Sequence, residues 1–142
     1  MVFDLSKFDE VNVLASGANW AWPTAVHNIF KPRGVNLLVA ETTDEFVNII
    51  RQRRIHTTIV DMESEGSNSL TSIRIIRMDY PLLPCILLTS EPGTETLSRA
   101  LQLDVFGVVE KPVDMDILRE LLNRLFKKKH NSYIFASQQQ FL

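Results

Sequence analysis

Short apolar runs recur at residues 10–15, 35–40, 55–61, 84–89 and 106–110, and between them apolar residues return at helical rather than alternating spacing. That alternation predicts parallel strands joined by crossover helices, an α/β fold with helices on both faces of the sheet. Thr43-Asp44-Glu45 opens the second helix with groups suited to a helix N-terminus, and Phe46, Ile49, Ile50 and Arg53 follow at helical spacing. The third begins at Asn68 or Ser69, carries Leu70, Ile73 and Ile76 as a stripe, and stops before Tyr80-Pro81. The fourth, over residues 93–102, has only Leu97, Ala100 and Leu101 to bury, which predicts a weakly anchored helix free to move. In the last helix Asp114 is the cap, Ile117, Leu118, Leu121, Leu122, Leu125 and Phe126 form the core face, and Lys127-Lys128-Lys129 complement the C-terminal dipole. Residues 130–142 have too little pattern to assign and read as a linker stub or frayed end, which leaves residues 1–129 as the domain.

The length of 142 residues suits one domain with one full core, and 45% hydrophobic with 23% charged residues are globular values. No apolar stretch approaches the roughly 20 residues needed to cross a bilayer, so no membrane role is expected. Charge interrupts the N-terminus within a few residues, unlike a secretory signal, and a cytoplasmic location is the default expectation. The lone cysteine, Cys85, lies inside an apolar run and reads as a buried, inert thiol. A net charge of −2 supplies no basic field for direct nucleic-acid binding.

Chemistry concentrates at the ends of three apolar runs, closed in turn by Asp61, Thr89 and Lys111. A parallel sheet sets such ends side by side, bringing a carboxylate, a hydroxyl and an ammonium to one edge. Together they suit phosphoryl transfer, with a nucleophilic carboxylate and donors to neutralise added charge. The first run instead ends in Ala15-Ser16, without charge. His27, His56 and His130 lack partners at metal-ligand spacing and read as surface or strand-edge residues. Ser90 and Glu91 read as pocket-rim residues without assigned chemistry.

Five β/α units carrying this trio resemble the receiver domain of two-component response regulators, over residues 9–129. The resemblance is strongest along the uninterrupted stretch 100–114, with its Lys111-Pro112 pair, and is supported by Ile59-Val60-Asp61-Met62 and Leu87-Leu88-Thr89-Ser90. It implies a flavodoxin-like, doubly wound five-stranded parallel sheet of order 2-1-3-4-5. It also implies Asp61 as phospho-acceptor, Thr89 as the hydroxyl bonding the phosphoryl oxygen, Lys111 as the neutralising cation, and a cis peptide before Pro112. The implied partners are proteins, a histidine kinase or a downstream effector, and self-association through the fourth and fifth helices is the family's habit.

Two departures from the family pattern reshape that expectation. Ala15 and Ser16 stand where the family places an acidic pair, and Mg²⁺ prefers a set of oxygen ligands that includes carboxylates. Asp61 remains as a ligand, with Glu63 the one replacement at hand, so Mg²⁺ binding is expected to be weak and phosphoryl transfer slow. Val108 stands where many relatives carry an aromatic residue that swings with the hydroxyl residue. Asp104 replaces the usual glycine before the fifth strand, a change an aspartate tolerates. The loop after the first strand carries Trp20 and Trp22, read as packing on the first helix, which Pro23 starts, with closure of the former metal pocket as the alternative. The leading expectation is a degenerate, non-enzymatic pseudo-receiver acting through protein contacts; the alternatives are an active phospho-receiver and a flavodoxin-like redox protein. The last would use Ser16-Gly17-Ala18-Asn19 as a phosphate loop, but it leaves Lys111-Pro112 unexplained.

Overall fold

The computed structural model describes residues 10–17, 19–20, 23–63 and 69–137. Trp22, Asn68, the side chain of Leu70 and the run Gln138-Gln139-Gln140 lie outside the described residues or side chains. Five strands, β1 (Val11–Ser16), β2 (Val35–Ala40), β3 (Thr57–Asp61), β4 (Cys85–Thr89) and β5 (Gly107–Glu110), form one sheet of order β2-β1-β3-β4-β5. Every pairing is parallel, so the expected order 2-1-3-4-5 is the observed one. Four α-helices follow β2 to β5 in turn: α1 (Thr43–Gln52), α2 (Ser69–Asp79), α3 (Thr94–Gln102) and α4 (Met115–His130). The β1–β2 crossover is made instead by a wide-turned helical segment, Val26–Phe30, and a tight 3-10 turn, Lys31–Arg33. Helical bonding there begins at Pro23, whose carbonyl accepts the His27 N–H, and ends at Gly34, which takes the left-handed φ of 70°.

Strands β3 and β4 are buried at every residue, as parallel strands covered on both faces must be. Their alternating side chains feed two apolar layers. On one face Val11, Val13, Ala15, Ile59, Ile86 and Leu88 meet Phe30 and the inner side of α4. On the other, Leu14, Val60, Cys85 and Leu87 meet Phe46 and Ile50 of α1, Ile73 and Ile76 of α2, and Ala100 of α3.

The helix ends follow local chemistry. Thr42, one residue before the expected start, caps α1 by accepting the Glu45 N–H, while Arg53 falls in extended backbone just past the helix. Asp114 caps α4 through the Asp116 and Ile117 N–H groups, as read. Asp104 takes the left-handed conformation at φ 53°. Three core assignments need correction. Ile117 is 59% exposed and Leu101 83% exposed, because the single stripe that faces the sheet is completed without them, by Leu118 and Leu121 in α4 and by Ala100 in α3. Leu97 too is 45% exposed, so α3 is anchored even more lightly than its composition suggests. His56 is fully buried, not at the surface; its Nδ1 accepts the Asn12 N–H, and its carbonyl lies 2.7 Å from His130 Nε2.

The stretch after α4 is not a frayed end as far as residue 137. Asn131 closes the helix in a left-handed conformation, and the chain folds back so that Phe135 is fully buried between Phe30 and Phe126, at ring distances of 5.9 and 4.8 Å. Arg119 Nη1 donates to the Phe135 carbonyl at 2.8 Å, tying the segment to α4. Phe135, with Ala136 buried and Ile134 packed against the same core, supplies burial that no periodicity announced.

Candidate functional site

At the C-terminal edge of the sheet, Asp61 ends β3, Thr89 ends β4, and Lys111 directly follows β5. Parallel register places them together: Asp61 pairs with Leu88, and Thr89 pairs with Glu110. Lys111 Nζ lies 2.7 Å from Asp61 Oδ1, with both side chains largely buried, so the predicted acceptor and cation meet as an ion pair. Asp61 Oδ1 also accepts the Glu63 N–H at 2.9 Å, closing the turn after β3. The peptide between Lys111 and Pro112 is cis. Thr89 is buried, its carbonyl accepts the Lys111 N–H at 2.8 Å, and its Oγ1 accepts the Glu91 N–H at 3.1 Å.

Glu63 enters the site in a way its position alone did not reveal. Its Oε1 accepts from Ser90 N at 2.6 Å and Ser90 Oγ at 2.7 Å, and lies 3.2 Å from Lys111 Nζ. Burial alone would raise the Glu63 pKa, but the two Ser90 donors and the Lys111 ammonium outweigh it and hold the carboxyl below its ordinary value. Burial would likewise lower the Lys111 pKa, yet bonds and charge from Asp61 and Glu63 raise it. Ser90 is therefore the residue that the rim reading missed. The available signal was its place directly after Thr89, where a strand end presents a backbone N–H and a hydroxyl together.

The end of β1 is neutral and closed. Ala15 and Ser16 are fully buried, and Ser16 Oγ accepts the backbone N–H of Asp61 at 2.9 Å. Gly17 turns away with φ 70°, its N–H bonded to the Ala40 carbonyl. Among the described residues the donor set is a poor fit for Mg²⁺: Asp61 and Glu63 each share an oxygen with the same ammonium, and β1 adds no acid. Among the described residues no group of three or more His, Cys, Asp or Glu side chains is arranged to hold a metal. Trp20 packs against the α4-side core and donates its indole N–H to the Gly17 carbonyl at 3.2 Å. Val108 is half-buried in β5 against the layer that holds Cys85, Leu87 and Ala100.

The family model of the response regulator receiver domain matches residues 21–123. The chain belongs to that family. A putative NtrX-like response regulator of Rickettsia bellii is 30% identical over 98 residues, which cover 68% of this chain and 20% of that protein. The receiver thus spans about one fifth of the length of the curated relative it matches. Among solved structures, NtrX from Brucella abortus superposes with a TM-score of 0.71 at 21% identity, over 83% of this chain and 27% of that one. The chemotaxis response regulator CheY4 of Vibrio cholerae gives 0.70 at 20% identity, over 82% of this chain and 98% of that one. These likenesses show the receiver fold, and with family membership the flavin reading loses its support. No helix among the described residues is long and apolar enough to cross a membrane.

Proposed function

We propose that this receiver signals through protein contacts and that Mg²⁺-dependent phosphorylation of Asp61 is weak or absent. The carrying observation is the neutral end of β1, where Ala15 and Ser16 stand and Ser16 serves as an acceptor for the Asp61 backbone. Phosphoryl transfer leans on bound cations to offset charge on the transferring group. Among the described residues the cation in contact with Asp61 is Lys111, and Glu63 shares it. In this reading the module is not an enzyme, and its partners are the proteins receivers work with, a histidine kinase or an effector. The retained Asp61–Lys111 contact favours a second reading, in which a kinase completes the geometry. Asp61 would then attack the phosphorus of the kinase phosphohistidine, forming an acyl phosphate as the donor N–P bond breaks.

Intact-mass measurement after incubation with Mg²⁺ and acetyl phosphate, beside an Asp61→Ala control, separates the readings. The expected result is no phosphoryl adduct on either chain over times that saturate an ordinary receiver. An adduct on the parent and none on the control would establish the active receiver instead.

A further inference from the structure

One oxygen in this site is unusually well served. Glu63 Oε1 receives Ser90 N at 2.6 Å, Ser90 Oγ at 2.7 Å and Lys111 Nζ at 3.2 Å, three donors arriving from β4's end and β5's end. A backbone N–H, a hydroxyl and an ammonium converging on one point form a binding place for an oxyanion, and charge-assisted bonds of this kind are the strong ones. In this chain the anion is part of the protein. A phosphoryl group on Asp61 would have to share the same ammonium, which already lies 2.7 Å from Asp61 Oδ1.

The contact also reaches beyond the pocket. Ser90 is the first residue after β4, the next residue donates its N–H to Thr89 Oγ1, and the Glu91 carbonyl accepts the N–H of Gly93, which opens α3 without a side-chain cap. Since α3 buries only Ala100, the placement of this loop is a large part of what positions the helix. Holding Ser90 holds the start of α3.

We propose that Glu63 is a resident anionic ligand: it fills an oxyanion site built by Ser90 and Lys111, setting the β4–α3 loop without phosphorylation, and its removal opens that site to inorganic phosphate. This rests on the receiver reading above and assigns the reason its output is independent of phosphate. It does not require Asp61 to react, so a phosphoryl adduct in the mass experiment would overturn the earlier proposal while leaving this one to its own test.

The test is calorimetric titration of inorganic phosphate into the parent chain, Glu63→Ala and Glu63→Ala/Lys111→Met, with amide spectra recorded on each. Glu63→Ala is expected to bind phosphate roughly tenfold more tightly than the parent or better, as expected for gaining hydrogen bonds to charged groups. The double variant is expected to lose that gain. The amide signals of Ser90 and α3 should shift in Glu63→Ala and move back toward parent positions as phosphate is added, a response that a merely structural role for Glu63 would not produce. Equal affinity in parent and Glu63→Ala, or undiminished affinity without Lys111, overturns the proposal. Should the Lys111 variant not fold, Glu63→Ala/Ser90→Ala removes only the hydroxyl donor and is expected to lose part of the gain; no loss there overturns it equally.

Discussion

Lys111 holds two carboxylates with one ammonium, and that asymmetry decides which substitution in the site matters most. Lys111→Met leaves Asp61 and Glu63 facing each other with no cation between them, one of them largely buried. Removing one partner of a buried pair exposes the desolvation cost of the other, so a loss of about 2 kcal/mol is expected for this partly buried pair. Asp61→Asn leaves Lys111 still paired with Glu63 and should cost clearly less. Urea unfolding of the two variants beside the parent checks the ranking. At this scale much of the site was legible: a carboxylate at the end of β3 and an ammonium just past β5 meet across the end of β4 because parallel register sets all three ends at one edge. Ser90 was not legible, because its part is played by a backbone N–H and a hydroxyl whose direction depends on the turn after Thr89.

Among the elements, legibility followed how completely each segment is buried. The strands announced themselves because both faces of the sheet are covered, and α4 because its stripe is long and its Asp114 cap unambiguous. The crossover after β1 was obscure, being a wide turn and a 3-10 turn rather than a regular helix, and so was the segment after α4, where Phe135 makes the main contact with Ile134 and Ala136 beside it. Phe135→Ala is expected to destabilise the fold by about 3 kcal/mol, the range for emptying a buried aromatic site, with the urea midpoint as the measurement. A change near zero would mean that the segment lies on the core without supporting it.

For the molecule as a whole, the two ends of the sheet have different chemistry. Asp61, Glu63 and Lys111 gather at the C-terminal edge; His56 and His130, 74 residues apart, meet at the other with ring centroids 5.4 Å apart. Burial lowers the His130 pKa from 6.5, the His56 carbonyl opposes this, and Arg54 adds to it. The native imidazole is thus neutral where the unfolded one takes up a proton, so stability is complete above the unfolded pKa. It declines as pH falls below about 6.5 and stops declining once the native pKa is passed. Unfolding midpoints between about pH 5 and 8 should show this decline in the parent and a smaller one in His130→Gln. Cys85 stands at the start of the strand between β3 and β5, fully buried, with its thiol pushed up to about 11 by burial. Alkylating reagents meet that sulfur only when the sheet parts, so the native chain carries its own clock for opening, and a label placed on a surface cysteine elsewhere would face no competing background.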